Sequence, residues 1–405
     1  MSTGLLYHGL GIRGGYEHVR MEFVEGRILI GIRQKRESLR CAHCGSSHVY
    51  IKTHAHRVFR APPIGSKPVW IHLPIARVEC QECMTVRQVR VPFADERVSY
   101  TRSFARYALE LSAFMTIQDV AQHLGVSWDV VKGIQQRYLR KKFARPKLRK
   151  LRQIAIDEVH VGRGGRFATI VLDLDTGAVV YVGKGRGVEA VRPFWRRLRQ
   201  ARAQVRAVAT DMAGGYIAAV REFLPEAVHV FDRFHVMKLY NEKLSDFRRE
   251  VHASLPGKLQ RQVLKGTRWL LLKNEEHLDE EKDERRRLEA ALALNEPLAT
   301  AYYMKELLRY LWEQPSKRAA CRWIDEWNQL AFASGIGMLR TFACTLAKHR
   351  SGLLAWYDYP ISTGPLEATN TKIQLLKRQA YGYRDTEFFH LKIYALHLAR
   401  YALIG

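Results

Sequence analysis

The sequence contains no apolar run of about eighteen residues, which argues against a helical membrane span. Its first twenty residues, MSTGLLYHGLGIRGGYEHVR, have neither the basic start nor the long apolar core of a secretion signal, so a cytoplasmic protein is expected. Cysteine is scarce, at six in 405 residues. In reduced surroundings so few thiols do not form a disulfide framework. Acids are also in short supply: 40 Asp and Glu stand against 66 Lys and Arg, leaving a net charge of +26. Such an excess calls for a polyanionic partner, and without a membrane-seeking segment that partner is nucleic acid. The length allows two or three domains, and 47% hydrophobic residues can fill their cores.

The few cysteines are patterned. Four fall in two matching knuckles, CAHC (Cys41, Cys44) and CQEC (Cys80, Cys83). Two thiolates from each would complete a tetrahedral Cys₄ zinc site with no open position, so the zinc is structural. The stretch between them alternates apolar and polar residues with Pro and Gly turns, which predicts short strands and a zinc-ribbon N-terminal domain over residues 1–98. Cys321 and Cys344 stand alone in a helical region and are expected in its core.

Residues 116–142 read as two amphipathic helices around Gly125, within a helix-turn-helix domain over residues 99–142. Thr116 and Ser127 suit the N-caps, with Asp119 at the third helical position. Val120, Leu124, Val126, Val131 and Ile134 would form the small core. Ser127, Trp128, Lys132, Gln135 and Arg137 would then be exposed on the second helix, the one that enters the major groove in this motif. An ordinary helical hairpin would show the same pattern. From Arg140 to Arg152 come eight basic residues and no acid. Arg140, Lys141, Lys142, Lys147, Arg149 and Lys150 could follow phosphates from a basic linker over residues 143–152.

Beyond the linker, three apolar strands are followed by alternating helices and strands, the order of a ribonuclease-H-like α/β core. QIAIDEVHV places Asp157 and Glu158 on its first strand, and VATD ends its fourth with Asp211. A buried carboxylate needs a partner. First and fourth strands are neighbours in this order, so Asp157 and Asp211 meet at one edge of the sheet, while alternation turns Glu158 to the other face. Two close carboxylates repel unless a cation lies between them, and hard oxygen ligands suit Mg²⁺ or Mn²⁺.

AIDEVHV, VATDMAGGY, HVFDRFHV and TGPLEATNTKIQLLKRQAYGYR together resemble the DDE-type bacterial insertion-sequence transposases, above all the ISL-three family, over nearly the whole chain. The resemblance implies a metal-binding triad of Asp157, Asp211 and Glu367, with Asn370 and Lys372 contacting DNA or orienting the acid. About 155 residues separate Asp211 from Glu367. Their helical composition fits the all-helical insertion that related transposases carry there, over residues 251–350, between core segments 153–250 and 351–405. Asp232 and His235 match a D-x-x-H motif and are expected to support the site, Asp232 being the rival to Asp211 for metal. The resemblance further implies DNA cleavage and strand transfer at transposon ends, action on double-stranded DNA as a dimer or larger assembly, and association with the bacterial nucleoid. A DNA-binding regulator derived from a transposase, or a nuclease without strand transfer, are the alternatives. Asp173 and Asp175 read as turn residues. Trp269, Trp312, Trp323 and Trp327 are expected in the core, although Trp269 could stack on a displaced base.

Overall fold

The computed structural model describes residues 3–12, 14–162, 165–254, 267–293 and 295–396. It divides into two units, one reaching Ala144 and one running from Arg145 to His397. The first unit is built on a sheet whose strands are β1 (Tyr16–Val24), β2 (Arg27–Gln34), β3 (Val49–Ile64), β4 (Lys67–Cys80) and the short β5 (Val86–Gln88). The spatial order is β1-β2-β4-β3, with β5 on the end of β4. The short strands expected between the knuckles are instead one long hairpin of 16 and 14 residues. Period-two alternation explains this: Val69, Ile71, Leu73 and Ile75 are all buried on one face of β4, against Ile28, Ile30 and Ile32 of β2. Each such side chain contributes roughly 1.5–3 kcal/mol over an exposed one, so the pattern holds the strand straight through its prolines.

The same unit carries helices α2 (Arg102–Leu111), α3 (Ile117–Leu124) and α4 (Trp128–Phe143), following α1 (Thr3–Leu10). Thr116 caps α3 in a reciprocal capping box with Asp119, and Ser127 caps α4. Gly125 closes α3 at φ 61°, a left-handed conformation that a side chain would strain. Val120, Ala121, Leu124, Val131 and Ile134 form the expected core, and Phe104 and Ala108 of α2 complete it as a third helix. Gln135 is a correction. It is buried, because Val131, Ile134, Gln135 and Leu139 make one i, i+3, i+4 stripe on the inner face of α4. A buried arginine ties the hairpin to the helices: Arg60 donates to the carbonyls of Val69 and Leu124 and stacks beside Trp70 and Phe104.

The second unit holds β6 (Gln153–Gly162), β7 (Arg166–Asp173), β8 (Val179–Lys184), β9 (Ala207–Thr210) and β10 (Val228–Phe231) in the order β10-β9-β6-β7-β8. β6, β7 and β8 are antiparallel, while β9 and β10 run parallel to β6. Helices α5 (Val188–Gln200) and α6 (Gly214–Phe223) cover one face, where Ile154, Ile156 and Val208 meet Phe194, Trp195 and Tyr216. Leu148 and Leu151 join that core, so the second half of the expected linker is part of this unit rather than a free tether.

Between β10 and the last helices lies an all-helical body made of α7 (Arg233–Ser254), α8 (Arg268–Leu272), α9 (Glu284–Ala293), α10 (Glu296–Arg309), α11 (Lys317–Ala333) and α12 (Gly337–Leu354). Residues 255–266 of the expected insertion lie outside the described residues. Its core joins Tyr240, Trp327 and Phe342, with ring centroids 4.8–6.2 Å apart. α7 packs in this core through Val236, Tyr240 and Leu244, so the boundary expected at residue 250 falls inside a continuous helix. Gly352 of α12 lies so close to Phe231 that an added Cβ would sit 2.4 Å from its ring, which seats α12 on the end of β10. Trp312 and Trp327 are core and Trp323 is partly buried, as expected. Trp269 and Cys344 depart from the expected core positions: Trp269 is 66% exposed under the Arg268 guanidinium and Cys344 is exposed, whereas Cys321 is half-buried and packs against the helical core. α13 (Gly364–Gln379) and α14 (Thr386–Tyr394) then return to the other face of the sheet, where Leu366, Ile373, Phe389 and Ile393 meet Ala155, Ile170 and Ala209. Among the described residues no helix is long and apolar enough to cross a membrane.

Candidate active site and metal centre

The two cysteine knuckles are built alike. Gly45 N–H donates to Cys41 O and Cys41 N–H to Ser46 O; Met84 N–H donates to Cys80 O and Cys80 N–H to Thr85 O. Gly45 and Met84 both take positive φ, 83° and 53°, which turns each loop so that its two thiols point inward. β3 and β4 pair Val49 with Cys80, so the hairpin brings the knuckles together. Sγ of Cys41 lies 3.6 Å from that of Cys83, and Sγ of Cys44 lies 3.5 Å from that of Cys80. All four sulfurs fall within 4.8 Å of one another. A tetrahedron of 2.3 Å zinc–sulfur bonds spaces its sulfurs about 3.8 Å apart, so the cluster has the size of a zinc site. Backbone N–H groups of Cys44 and His43 pull the Cys41 thiol down to about 6, while the neighbouring sulfurs of Cys80, Cys83 and Cys41 push Cys44 up to about 12, the opposite shifts of crowded thiols.

The acids come together by strand register. β6 and β9 pair Ala155 with Ala209, and two residues on, the same parallel register sets Asp157 level with Asp211. β9 and β10 pair Thr210 with Phe231, so Asp232 stands beside Asp211 just past the carboxyl ends of these two strands, next to Asp157 in the middle of β6. Asp157 shares a face with Ala155 and Val159, and Asp211 follows the alternation of Ala207 and Ala209 on that same side. Glu158 turns to the opposite face. There one of its oxygens accepts from Gly187 N–H and Tyr216 O–H, both at 2.8 Å, so it braces α5 and α6.

Glu367 arrives on α13, in the first turn after Thr363 with Pro365 beside it. Asn370 Nδ2 donates to Asp157 Oδ2 at 2.9 Å, and Gln374 Nε2 donates to His160 O at 2.6 Å. Glu367, Asn370 and Gln374 form one stripe, so these two bonds press the helix on β6 with Glu367 leading. Lys372 is exposed and lies off that stripe.

Asp232 is taken up otherwise. It is buried, and it accepts from Thr363 N–H at 3.1 Å, Thr363 O–H at 2.8 Å and Phe234 N–H at 3.2 Å. Those bonds start α7 and pin the start of α13. Asp211 turns one oxygen to Ala213 N–H at the entry to α6. Asp173 accepts from Asp175 N–H and Thr176 O–H within its turn.

Electrostatics link the set. Burial raises the Asp157 carboxyl above its ordinary range, and the charges of Asp211 and Glu158 add to it, while His235 opposes. Burial likewise raises Glu367, with Asp232 and Asp157 adding and His235 and Lys238 opposing. Asp157 thus feels Asp211, and Glu367 feels Asp157 and Asp232, yet these acids do not close up like the thiols. Among the described residues, only the four cysteines are gathered tightly enough to hold a metal as they stand. His235 Nε2 is buried with no hydrogen-bond partner.

On the helix-turn-helix, Ser127 and Trp128 are exposed, and Lys132 lies over the Trp128 ring. Arg137 is exposed but donates to Tyr100 O–H. Arg140, Lys141 and Lys142 form the last turn of α4, where cations suit the helix dipole. Lys147, Arg149 and Lys150 are exposed on the second unit. Sequence reasoning passed over Thr363, Tyr216 and Gln374. Thr363, in a Ser-Thr-Gly-Pro helix start, carried a local signal; the other two carried none.

Known proteins match the chain in the same order. Family models cover residues 37–83 (zinc-finger of transposase IS204/IS1001/IS1096/IS1165), 79–139 (helix-turn-helix domain of transposase family ISL3) and 154–393 (transposase, of the DDE ISL3 type). The chain is 33% identical over 396 residues to the transposase for insertion sequence element IS1001 of Bordetella parapertussis, covering 96% of this chain and 97% of that one. It is 29% identical over 392 residues to the transposase for insertion sequence element IS1557 of Mycobacterium tuberculosis, covering 89% and 86%. A solved structure, the Drosophila P element transposase strand transfer complex, aligns at a TM-score of 0.37 and 10% identity over 76% of this chain and 93% of that chain, too distant to carry an argument. With its zinc ribbon, helix-turn-helix and catalytic domain in that order, the chain belongs to the ISL3 family of DDE transposases.

Proposed function

We propose that Asp157, Asp211 and Glu367 hold divalent magnesium or manganese at the edge of a ribonuclease-H-like core and cut and join DNA at the ends of an insertion sequence. The observation that carries this is the register of β6 and β9, which sets Asp157 level with Asp211, under a helix that delivers Glu367 and is bonded to Asp157 through Asn370. The strand order β10-β9-β6-β7-β8 supports the core assignment. The donor set is all oxygen and suits a hard cation. When bound, such metal supplies charge neutralisation at the phosphate and lowers the pKa of the attacking water or 3′-hydroxyl.

The chain's own residues prepare that chemistry. Asn370 holds one oxygen of Asp157 in place. Asp232 is a positioning residue: through Thr363 it sets the height of α13 and hence of Glu367. His235 offsets the negative charge of Asp157 and Glu367. The Cys₄ cluster holds zinc and keeps the hairpin end closed. Ser127, Trp128 and Lys132 meet the inverted-repeat ends, with Arg137 and the Arg140–Lys142 turn on flanking phosphates, and two copies act together on paired ends. The domain limits follow: a zinc-bearing sheet, a three-helix reader, and a core interrupted by a helical body.

The test is cleavage of duplex carrying the element's own end. Wild type with Mg²⁺ is expected to leave a 3′-hydroxyl and to join it to a second duplex. Asp157→Asn is expected to lose cleavage by at least about 10³-fold while keeping end binding, the order lost when a transition-state interaction is removed. Binding without cleavage by wild type in Mg²⁺ and Mn²⁺ would point to a regulator, and cleavage without joining to a nuclease.

A further inference from the structure

The face of the catalytic sheet opposite the acids carries an unusual charge. α5 presents Arg192, Arg196 and Arg199 on one exposed stripe, and Arg202 follows. The 145–152 stretch lies beside it. Arg197 donates to Pro146 O, Arg206 N–H donates to Arg152 O, and Leu148 and Leu151 are buried with Trp195 and Leu198. The leucines of KLRKLR therefore anchor the stretch and leave Lys147, Arg149 and Lys150 outward beside the α5 arginines. Across residues 145–152 and 188–206 the one acid is Glu189, which pairs with Arg192. Neighbouring α6 adds Arg221 and Glu222, which offset each other.

Two sequence segments have thus been folded into one cationic surface held by a rigid core. Solvated cations on mixed-charge helices need no such arrangement. In the helical body, for contrast, Lys282 and Arg286 each have an acid partner three residues away, whereas on α5 Arg192 alone has one and Arg196 and Arg199 have none among the described residues. The α5 surface lies on the Ile154 and Ile156 face, whereas Asp157 faces α13 on the other side. A duplex seated on α5 is therefore a different stretch from the one whose phosphate meets the acids. Arginines contacting phosphates do not read sequence.

We propose that the α5 surface, with the 145–152 stretch, is a second duplex-binding site that holds sequence-neutral target DNA while the transposon end occupies the acid site. This rests on the transposase reading above, but its test needs no catalysis. Full-length protein bearing Asp157→Asn is saturated with unlabelled end duplex, and binding of a second, labelled duplex of unrelated sequence is measured from low to moderate salt. Arg192→Ala, Arg196→Ala and Arg199→Ala together are expected to weaken that second binding at least about tenfold and to lower the salt slope by about 2.7, near 0.9 for each lost phosphate contact. The triple Arg→Lys variant should keep the slope, which separates lost charge from lost fold. Lys282→Ala, Arg286→Ala and Arg287→Ala remove the same net charge and should leave it unchanged. An unaltered slope in the α5 variant, an equal loss in the control, or a second site that accepts only end-sequence duplex would each overturn the proposal. Loss of cleavage in a wild-type assay would instead count against the catalytic reading and leave these slopes untouched.

Discussion

The cysteine cluster and the acids proposed to bind magnesium are assembled in opposite ways. In the zinc ribbon, the ligands within each knuckle are three residues apart, each knuckle's backbone bonds aim its thiols, and a hairpin joins the pair; four sulfurs already sit at near-tetrahedral spacing. In the second unit the acids are spread from residue 157 to residue 367 over the middle of one strand, the end of another and a helix, and they are not gathered as tightly as the thiols. A closed site stabilises fold, so its ligands can be prearranged at little cost once deprotonated. A site proposed to act on DNA has to leave room for a phosphate between its acids. Thr363, Asn370 and Gln374 hold the acids' carriers in place instead.

That contrast can be tested. The largest effect should come from Cys80→Ser. Cys80 is fully buried, and losing the structural metal is expected to destabilise the first unit by on the order of 4 kcal/mol, read as a lower first transition in thermal unfolding. Omitting magnesium, with no chelator added, should leave that transition in place while abolishing cleavage. If both treatments unfold the same unit, the division into a structural and a catalytic centre fails.

Next is Thr363→Val, which removes the hydroxyl bond to buried Asp232. A hydrogen bond to a charged group is worth about 1.5–3 kcal/mol, and the second unit should lose that order of stability. Cleavage should fall more than end binding, because the start of α13 sets Glu367. Equal losses in both would mean that Asp232 holds the fold without placing the acid.

The smallest effect is one of pH. Burial holds the Asp157 and Glu367 carboxyls above their unfolded values. Between the unfolded and folded values the native state binds more protons than the unfolded chain, so their contribution to stability falls as pH rises through that window. In metal-free protein, Asp157→Asn should therefore stabilise the second unit at neutral pH, with the advantage shrinking as pH is lowered. Magnesium should reduce the same advantage. A difference between wild type and Asp157→Asn that does not change with pH would sink the account of crowded, uncompensated acids.

Much of this was legible in the chain itself. The knuckles, the capping box of Thr116 and Asp119, the turn at Gly125 and the strand–helix order of the core are local, written in spacings of two to five residues. The misreadings were matters of which side faces what. Gln135 is polar, but its helix stripe turns it inward, and KLRKLR reads as a charged tether until its leucines find the core beside Trp195. The hairpin between the knuckles runs long because alternation on β4 continues through its prolines.

By itself, the sequence determined the four-cysteine cluster and the helix-turn-helix, because spacing and residue type suffice where contacts are local. Only the tertiary structure decided that Asp232 is bound to Thr363, that Glu158 braces α5 and α6, and that Asn370 holds Asp157 from 213 residues away. Those partners are chosen by strand register and by the docking of α13 on the sheet, which arise from the packing of the whole core and leave no mark in any short stretch of chain.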